Sequence, residues 1–125
     1  MTTQKIKLLV VDDERDICRF VKQLFEKKGF LVSTALSGQG ALKIAKRLKP
    51  DIALLDIYLK KGWDGMETLK RIRRILPRCR CLMVTWDKTK DKKEGAKKLG
   101  AVSYLTKPLT VTRLYRIVNR LVKDR

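Results

Sequence analysis

The chain has 125 residues, 44% of them apolar, a size and balance that suit one domain around one hydrophobic core. Thirty-one lysines and arginines stand against thirteen aspartates and glutamates, a formal net charge of +18; such an excess fits either affinity for polyanions or a lysine-rich solvated surface. Histidine is absent, which excludes histidine acid–base chemistry, a phosphohistidine in this chain and every common zinc set except an all-cysteine one, and no apolar run approaches the ~18–20 residues of a membrane span.

Read in chain order, the start from Met1 to Lys5 lacks the apolar stretch of a secretory leader. The expectation is a cytoplasmic protein whose Cys18, Cys79 and Cys81 are reduced thiols. Lys7 to Val11 is a nearly continuous apolar run ending at Asp12, the pattern of a strand buried on both faces. Ile17, Val21, Leu24 and Phe25 recur at helical spacing, with Gly29 as the stop signal. Phe30 to Ala35 reads as a second strand. Ala41, Leu42, Ala45 and Leu48 mark a second helix, stopped by Pro50.

Ile52 to Leu55 is a third buried run, again ending in an acid, Asp56. After a loop from Lys60 to Gly65, a helix carries Leu69, Ile72 and Leu76 and ends at Pro77. Cys81 opens a fourth strand, which makes packing a better reading of Cys79-Arg80-Cys81 than a metal or redox pair. Leu82 to Val84 continue that strand and Thr85 ends it. The very basic segment from Lys88 to Leu99 reads as a weak helix closed by Gly100, Val102 to Leu105 as a fifth strand, and Val111, Leu114, Ile117, Val118 and Leu121 as the apolar face of a last helix. Five strand–helix units in this order predict one α/β domain over residues 1–125, with a parallel sheet covered on both faces.

Ligands of such sheets bind beyond the carboxyl ends of the strands. Asp12 and Asp13, Asp56, Thr85, and Thr106-Lys107-Pro108 stand at four of those ends. If the four strands are neighbours, these groups converge. Carboxylates so close repel unless a cation separates them. A hard ion such as Mg2+ accepts oxygen ligands: Asp12 or Asp13, Asp56, a backbone carbonyl and water would suit it. Asp56 is then the candidate nucleophile for a phosphoryl group, Lys107 the point charge and Thr85 the hydroxyl for its oxygens.

These residues resemble the receiver domain of two-component response regulators. The likeness is carried by Val10-Val11-Asp12-Asp13-Glu14, Leu54-Leu55-Asp56-Ile57, Asp64-Gly65, Val84-Thr85, Gly100-Ala101 and Tyr104-Leu105-Thr106-Lys107-Pro108, and covers nearly the whole chain. It implies a doubly wound, flavodoxin-like sheet in the order 2-1-3-4-5. It implies that Asp56 accepts phosphate from the phosphohistidine of a sensor histidine kinase or phosphotransfer protein. Asp12, Asp13, Asp56 and the backbone carbonyl of Tyr58 would hold Mg2+, Lys107 would contact the phosphoryl group before a cis bond to Pro108, and Thr85 and Tyr104 would form the switch pair. The face of the fourth helix, fifth strand and fifth helix would then change its partner preference. Beyond assisting its own phosphorylation and slow dephosphorylation, the chain would not be an enzyme.

Three departures from the family pattern stand out. Lys60 follows Leu59 where a proline is common. The run from Asp56 to Gly65 is one residue longer than usual, with Gly62 placed to absorb the extra length. Trp86 follows Thr85 in place of a small residue, either as a gate that narrows access to Asp56 or as a surface ring. Arg113, Arg116, Arg120 and Lys123 form one stripe on the last helix, near Lys88, Lys90, Lys92, Lys93, Lys97 and Lys98. The expected partner of that face is an acidic protein or a dimer mate. Two other functions fit less of the sequence: a phosphorylation-independent binding module, and a basic nucleic-acid-binding protein, for which no recognised motif is present.

Overall fold

The computed structural model describes residues 5–123. The stretch from Met1 to Gln4, read above for a leader, and the last two positions of the expected domain lie outside them. Five strands alternate with five helices: β1 (Lys7–Val11), α1 (Arg15–Lys27), β2 (Leu31–Ala35), α2 (Gly38–Leu48), β3 (Ile52–Leu55), α3 (Gly65–Ile75), β4 (Arg80–Thr85), α4 (Lys90–Lys98), β5 (Ser103–Thr106) and α5 (Val111–Lys123). The strands are all parallel and lie in the order β2-β1-β3-β4-β5.

The apolar runs become central strands because both of their faces are covered. Alternate residues of a strand point to opposite sides, so Leu9, Val11, Ala53, Leu55 and Met83 pack against α2, α3 and α4. Leu8, Val10, Ile52, Leu54 and Leu82 pack against α1 and α5 around Phe25 and Val118. Fully burying a leucine or isoleucine side chain contributes about 2 kcal/mol, which is why β1 and β3 hold the middle of the sheet. The edge strand β2 buries less of its length.

The stop signals act where expected. Gly29 (φ 92) and Gly100 (φ 99) follow α1 and α4 in the left-handed region, which glycine enters without steric cost. Ser37 accepts a hydrogen bond from the Gly40 amide at 3.1 Å, and Asp64 one from the Glu67 amide at 2.8 Å, capping α2 and α3. One expectation fails at α5. Val111, the first residue of α5, is 39% exposed, and the helix buries Leu114 and Val118. Tyr115 packs toward the core instead, its ring centroid 6.1 Å from that of Phe25.

Candidate functional site

The register of the sheet builds the site. Val11 pairs with Leu55 and Thr85 with Thr106, so the residues that follow β1, β3 and β5 emerge side by side. The Asp56 amide donates to the Val11 carbonyl at 3.0 Å, and the Lys107 amide to the Thr85 carbonyl at 2.7 Å. Lys107 then reaches back over the strand ends. Its Nζ donates to Asp12 Oδ2 at 2.9 Å and to Asp56 Oδ2 at 2.8 Å, with all three side chains buried. The bond from Lys107 to Pro108 is cis.

One ammonium thus serves two buried carboxylates. A charge pair at ~4 Å interacts by about 4 kcal/mol at an effective dielectric of 20, so the lysine offsets most of the repulsion between the acids while the trio keeps a formal charge of −1. Burial opposes the charge on Lys107, but its hydrogen bonds to Asp56 and Asp12 and their attraction outweigh that and hold its pKa above the ordinary lysine value. The other oxygens anchor loops: Asp12 Oδ1 accepts from the Glu14 amide at 2.9 Å and Asp56 Oδ1 from the Tyr58 amide at 3.1 Å.

Asp13 takes a separate place. Its Oδ2 accepts the Lys60 amide at 3.0 Å and pins the loop after β3. Among the described residues no set of three acids, cysteines or histidines is gathered as for a metal; the Lys107 ammonium occupies the space between Asp12 and Asp56. The donors at this edge are nonetheless all oxygen, the set a hard divalent ion takes, and the residual negative charge of the trio suits a cation.

The loop after Asp56 depends on two glycines. Gly62 has φ 73, in the left-handed region that glycine enters without steric cost. At Gly65, a Cβ would lie 2.0 Å from the Asp56 carbonyl oxygen, so only glycine lets α3 start this close to the acid.

Thr85 and Tyr104, the pair expected to act as a switch, converge on a residue that reading the sequence missed. Thr85 is fully buried, and its Oγ1 accepts from the Asp87 amide at 3.4 Å. The Tyr104 hydroxyl donates to the Asp87 carbonyl at 2.6 Å, and burial, then the charge of Asp87, pushes its pKa up to about 12. The Asp87 carboxylate accepts from the amide and hydroxyl of Thr89 at 2.8 and 2.6 Å and from the hydroxyl of Tyr58. Those hydrogen bonds, from Thr89 first and then Tyr58, lower the pKa of Asp87, and the one from Tyr58 raises that of the phenol. The signal for Asp87 was an Asp two positions before Thr89 at a helix start, the spacing of an Asx turn. Trp86 is 59% exposed, a surface ring.

Cys18 Sγ donates to the Asp12 carbonyl at 3.3 Å. Burial, with the nearby Asp12, pushes its pKa up to about 11, so it stays a thiol. All three cysteines are buried and unbridged.

Comparison with known proteins adds to this geometry. The family model of the response regulator receiver domain matches residues 8–119. The chain is 32% identical to sporulation initiation phosphotransferase F of Bacillus subtilis (strain 168) over 114 residues, 91% of each chain. It is 42% identical to the alkaline phosphatase synthesis transcriptional regulatory protein PhoP of the same organism over 118 residues, but spans only 47% of that protein. Among solved structures, a two-component response regulator from Clostridium difficile superposes with a TM-score of 0.91 at 28% identity, covering 95% of this chain and 97% of that one. The chemotaxis protein CheY4 of Vibrio cholerae gives 0.89 at 28% identity, covering 94% and 99%.

Proposed function

This chain belongs to the family of response regulator receiver domains, phosphoacceptors of two-component signalling, and from that premise we propose that Asp56 is the residue phosphorylated. The observation that carries the reading is the buried Lys107 ammonium shared between Asp12 and Asp56. A carboxylate that is buried, ionised and held at a strand end by a neighbouring cation is an oriented nucleophile.

The donor is the phosphohistidine of a sensor kinase or phosphotransfer protein. An Asp56 carboxylate oxygen attacks the phosphorus, the P–N bond to the partner's imidazole breaks, and the P–O bond of an acyl phosphate forms. Lys107 loses one hydrogen bond to Asp56 in that step and turns its charge to a phosphoryl oxygen, while Asp12 keeps it in place. Mg2+ would be held by Asp12, Asp13, Asp56 and the Tyr58 carbonyl, and when bound supplies charge neutralisation for the transferring group. The Thr85 hydroxyl turns toward the new phosphoryl oxygens. Its hydrogen bond from the Asp87 amide breaks, Tyr104 loses its fixed partner, and the surface of α4, β5 and α5 rearranges. Arg113, Arg116, Arg120 and Lys123 are all exposed there and suit an acidic output partner or dimer mate. The chain acts as one cytoplasmic domain and turns over no small-molecule substrate.

Phosphotransfer from a panel of kinases, read by mass spectrometry, tests the assignment. The wild type gains an aspartyl phosphate on Asp56 that requires Mg2+, and Asp56→Asn gains none. An equal adduct on the variant would locate the acceptor elsewhere.

A further inference from the structure

The charge of this chain is sorted by the fold. Each helix of a parallel α/β sheet runs back against the strands, so the carboxyl ends of all five helices gather at the end opposite Asp56. Their last turns alone hold nine cationic side chains: Lys27 on α1, Lys46 and Arg47 on α2, Arg73 and Arg74 on α3, Lys97 and Lys98 on α4, and Arg120 and Lys123 on α5. The adjoining loops and strand starts add Lys5, Lys7, Lys28, Lys49 and Arg78, all exposed. Among the described residues the acids at this end are Glu26 and Asp51, and Asp51 accepts a hydrogen bond from the Lys7 amide at 2.8 Å. The acids crowd the other end instead, as Asp12, Asp13, Glu14, Asp56, Asp64 and Asp87.

Cations at helix ends complement the macrodipoles, but the magnitudes do not match. Five helix ends carry about −0.5 each, roughly −2.5 together, against the nine charges of the last turns alone. Most of the positive potential is therefore left to face solvent. Arginines take a large share of it. The Arg73 guanidinium is held by the carbonyls of Pro77 and Cys79, the latter at 3.0 Å, beside a groove also lined by Arg78. The exposed guanidiniums of Arg47, Arg74 and Arg78 suit the paired oxygens of a phosphodiester.

We propose that this basic end is a docking surface for the phosphate backbone of duplex DNA, recognised without regard to sequence. Five strands span about 20 Å across the sheet, and a helix layer of about 10 Å on each face makes the end about 30 Å deep in the other direction. A duplex presents a charge every ~1.7 Å along its axis, so a segment laid across this end offers on the order of ten or more phosphates. An anionic membrane fits less well. The exposed apolar residues here, Leu31, Ile75 and Val102, come from separate elements, two of them at opposite edges of the sheet, and make no continuous face to enter lipid. The strands hold the two ends of the molecule about 15–20 Å apart, beyond the ~8–10 Å screening length, so DNA at one end leaves Asp56 open to its phosphodonor.

Fluorescence anisotropy with a labelled 20-base-pair duplex tests this on the full chain. The expected Kd is about 1–10 µM at 0.1 M NaCl, with a slope of log K on log salt near −4 or steeper. Reversing Lys46, Arg47, Arg74 and Arg78 to Glu weakens binding at least tenfold and flattens the slope. The same four changed to Ala weaken it in the same order. Reversing Lys60, Lys61, Lys88 and Lys90 to Glu, an equal change of net charge at the other end, changes Kd less than threefold. Circular dichroism checks that each variant is folded. Equal loss in both reversed sets would reduce the effect to bulk charge and overturn the proposal. So would no binding at 0.1 M NaCl, or tighter binding to phosphatidylserine vesicles than to the duplex. Asp56→Asn binds the duplex like the wild type, so this result stands or falls apart from the assignment of the phosphoacceptor.

Discussion

At the scale of single residues, the protons of Tyr104 and Lys107 tie stability to alkaline pH. Tyr104, raised from 10.0 to about 12, binds its proton more tightly in the folded than in the unfolded chain, and Lys107, also raised, does the same. A group whose folded pKa lies above its unfolded value contributes its full stability below the unfolded pKa. That contribution falls as pH rises toward the folded pKa. The urea midpoint is therefore expected to hold steady from pH 7 to 9 and to fall between pH 10 and 12. Tyr104→Phe, which has no phenol proton to lose, should fall less steeply over that window. Parallel curves for the two proteins would mean that Tyr104 does not titrate as its surroundings require. The same residue shows how position overrides identity. Its hydroxyl is fixed by a backbone carbonyl, that of Asp87, a partner no side-chain motif would have revealed.

At the scale of elements, the junction between the acceptor loop and α3 is the tightest joint near the site. Asp64 caps the helix, and the Gly65 amide donates to the Ile57 carbonyl at 2.6 Å. A methyl group at Gly65 meets the Asp56 backbone rather than a movable side chain, so strain cannot be relieved by a rotamer. Gly65→Ala is expected to cost about 2–3 kcal/mol, measured by urea denaturation, and to slow phosphotransfer to Asp56 by displacing the carboxylate. Gly29→Ala serves as the comparison. Nothing lies within 4 Å of its added Cβ, and its cost comes from φ 92 alone; that is about 1 kcal/mol, with phosphotransfer unchanged. Equal effects of the two on phosphotransfer would remove the packing argument. By contrast α4 has Ala96 as its one buried residue, so tertiary contact, not a strong apolar face, sets where it lies.

At the scale of the whole molecule, a net charge of +18 repels itself in the compact state. Salt screens that repulsion over ~8–10 Å near physiological ionic strength. Raising NaCl from 0.01 to 0.3 M is expected to increase Tm by about 4 °C, the shift that ~1 kcal/mol produces in a chain of this size. A Tm that falls over this range would mean that ion pairs outweigh the repulsion. The alternation of apolar runs with helical periods was enough to read all five strand–helix units, because burial on two faces and burial on one stripe leave different periods in the chain. The acids and the lysine of the site were also legible, since each directly follows a strand. The partnership of Lys107 with both Asp12 and Asp56, the diversion of Asp13 to the Lys60 amide, the hub at Asp87 and the exposure of Val111 were not. Those depend on which strand ends lie next to one another, how far a side chain reaches, and which turns of a helix meet the sheet. Local sequence determines periodicity and charge, but a contact between residues 51 or 95 positions apart exists only once the sheet has set its order and register.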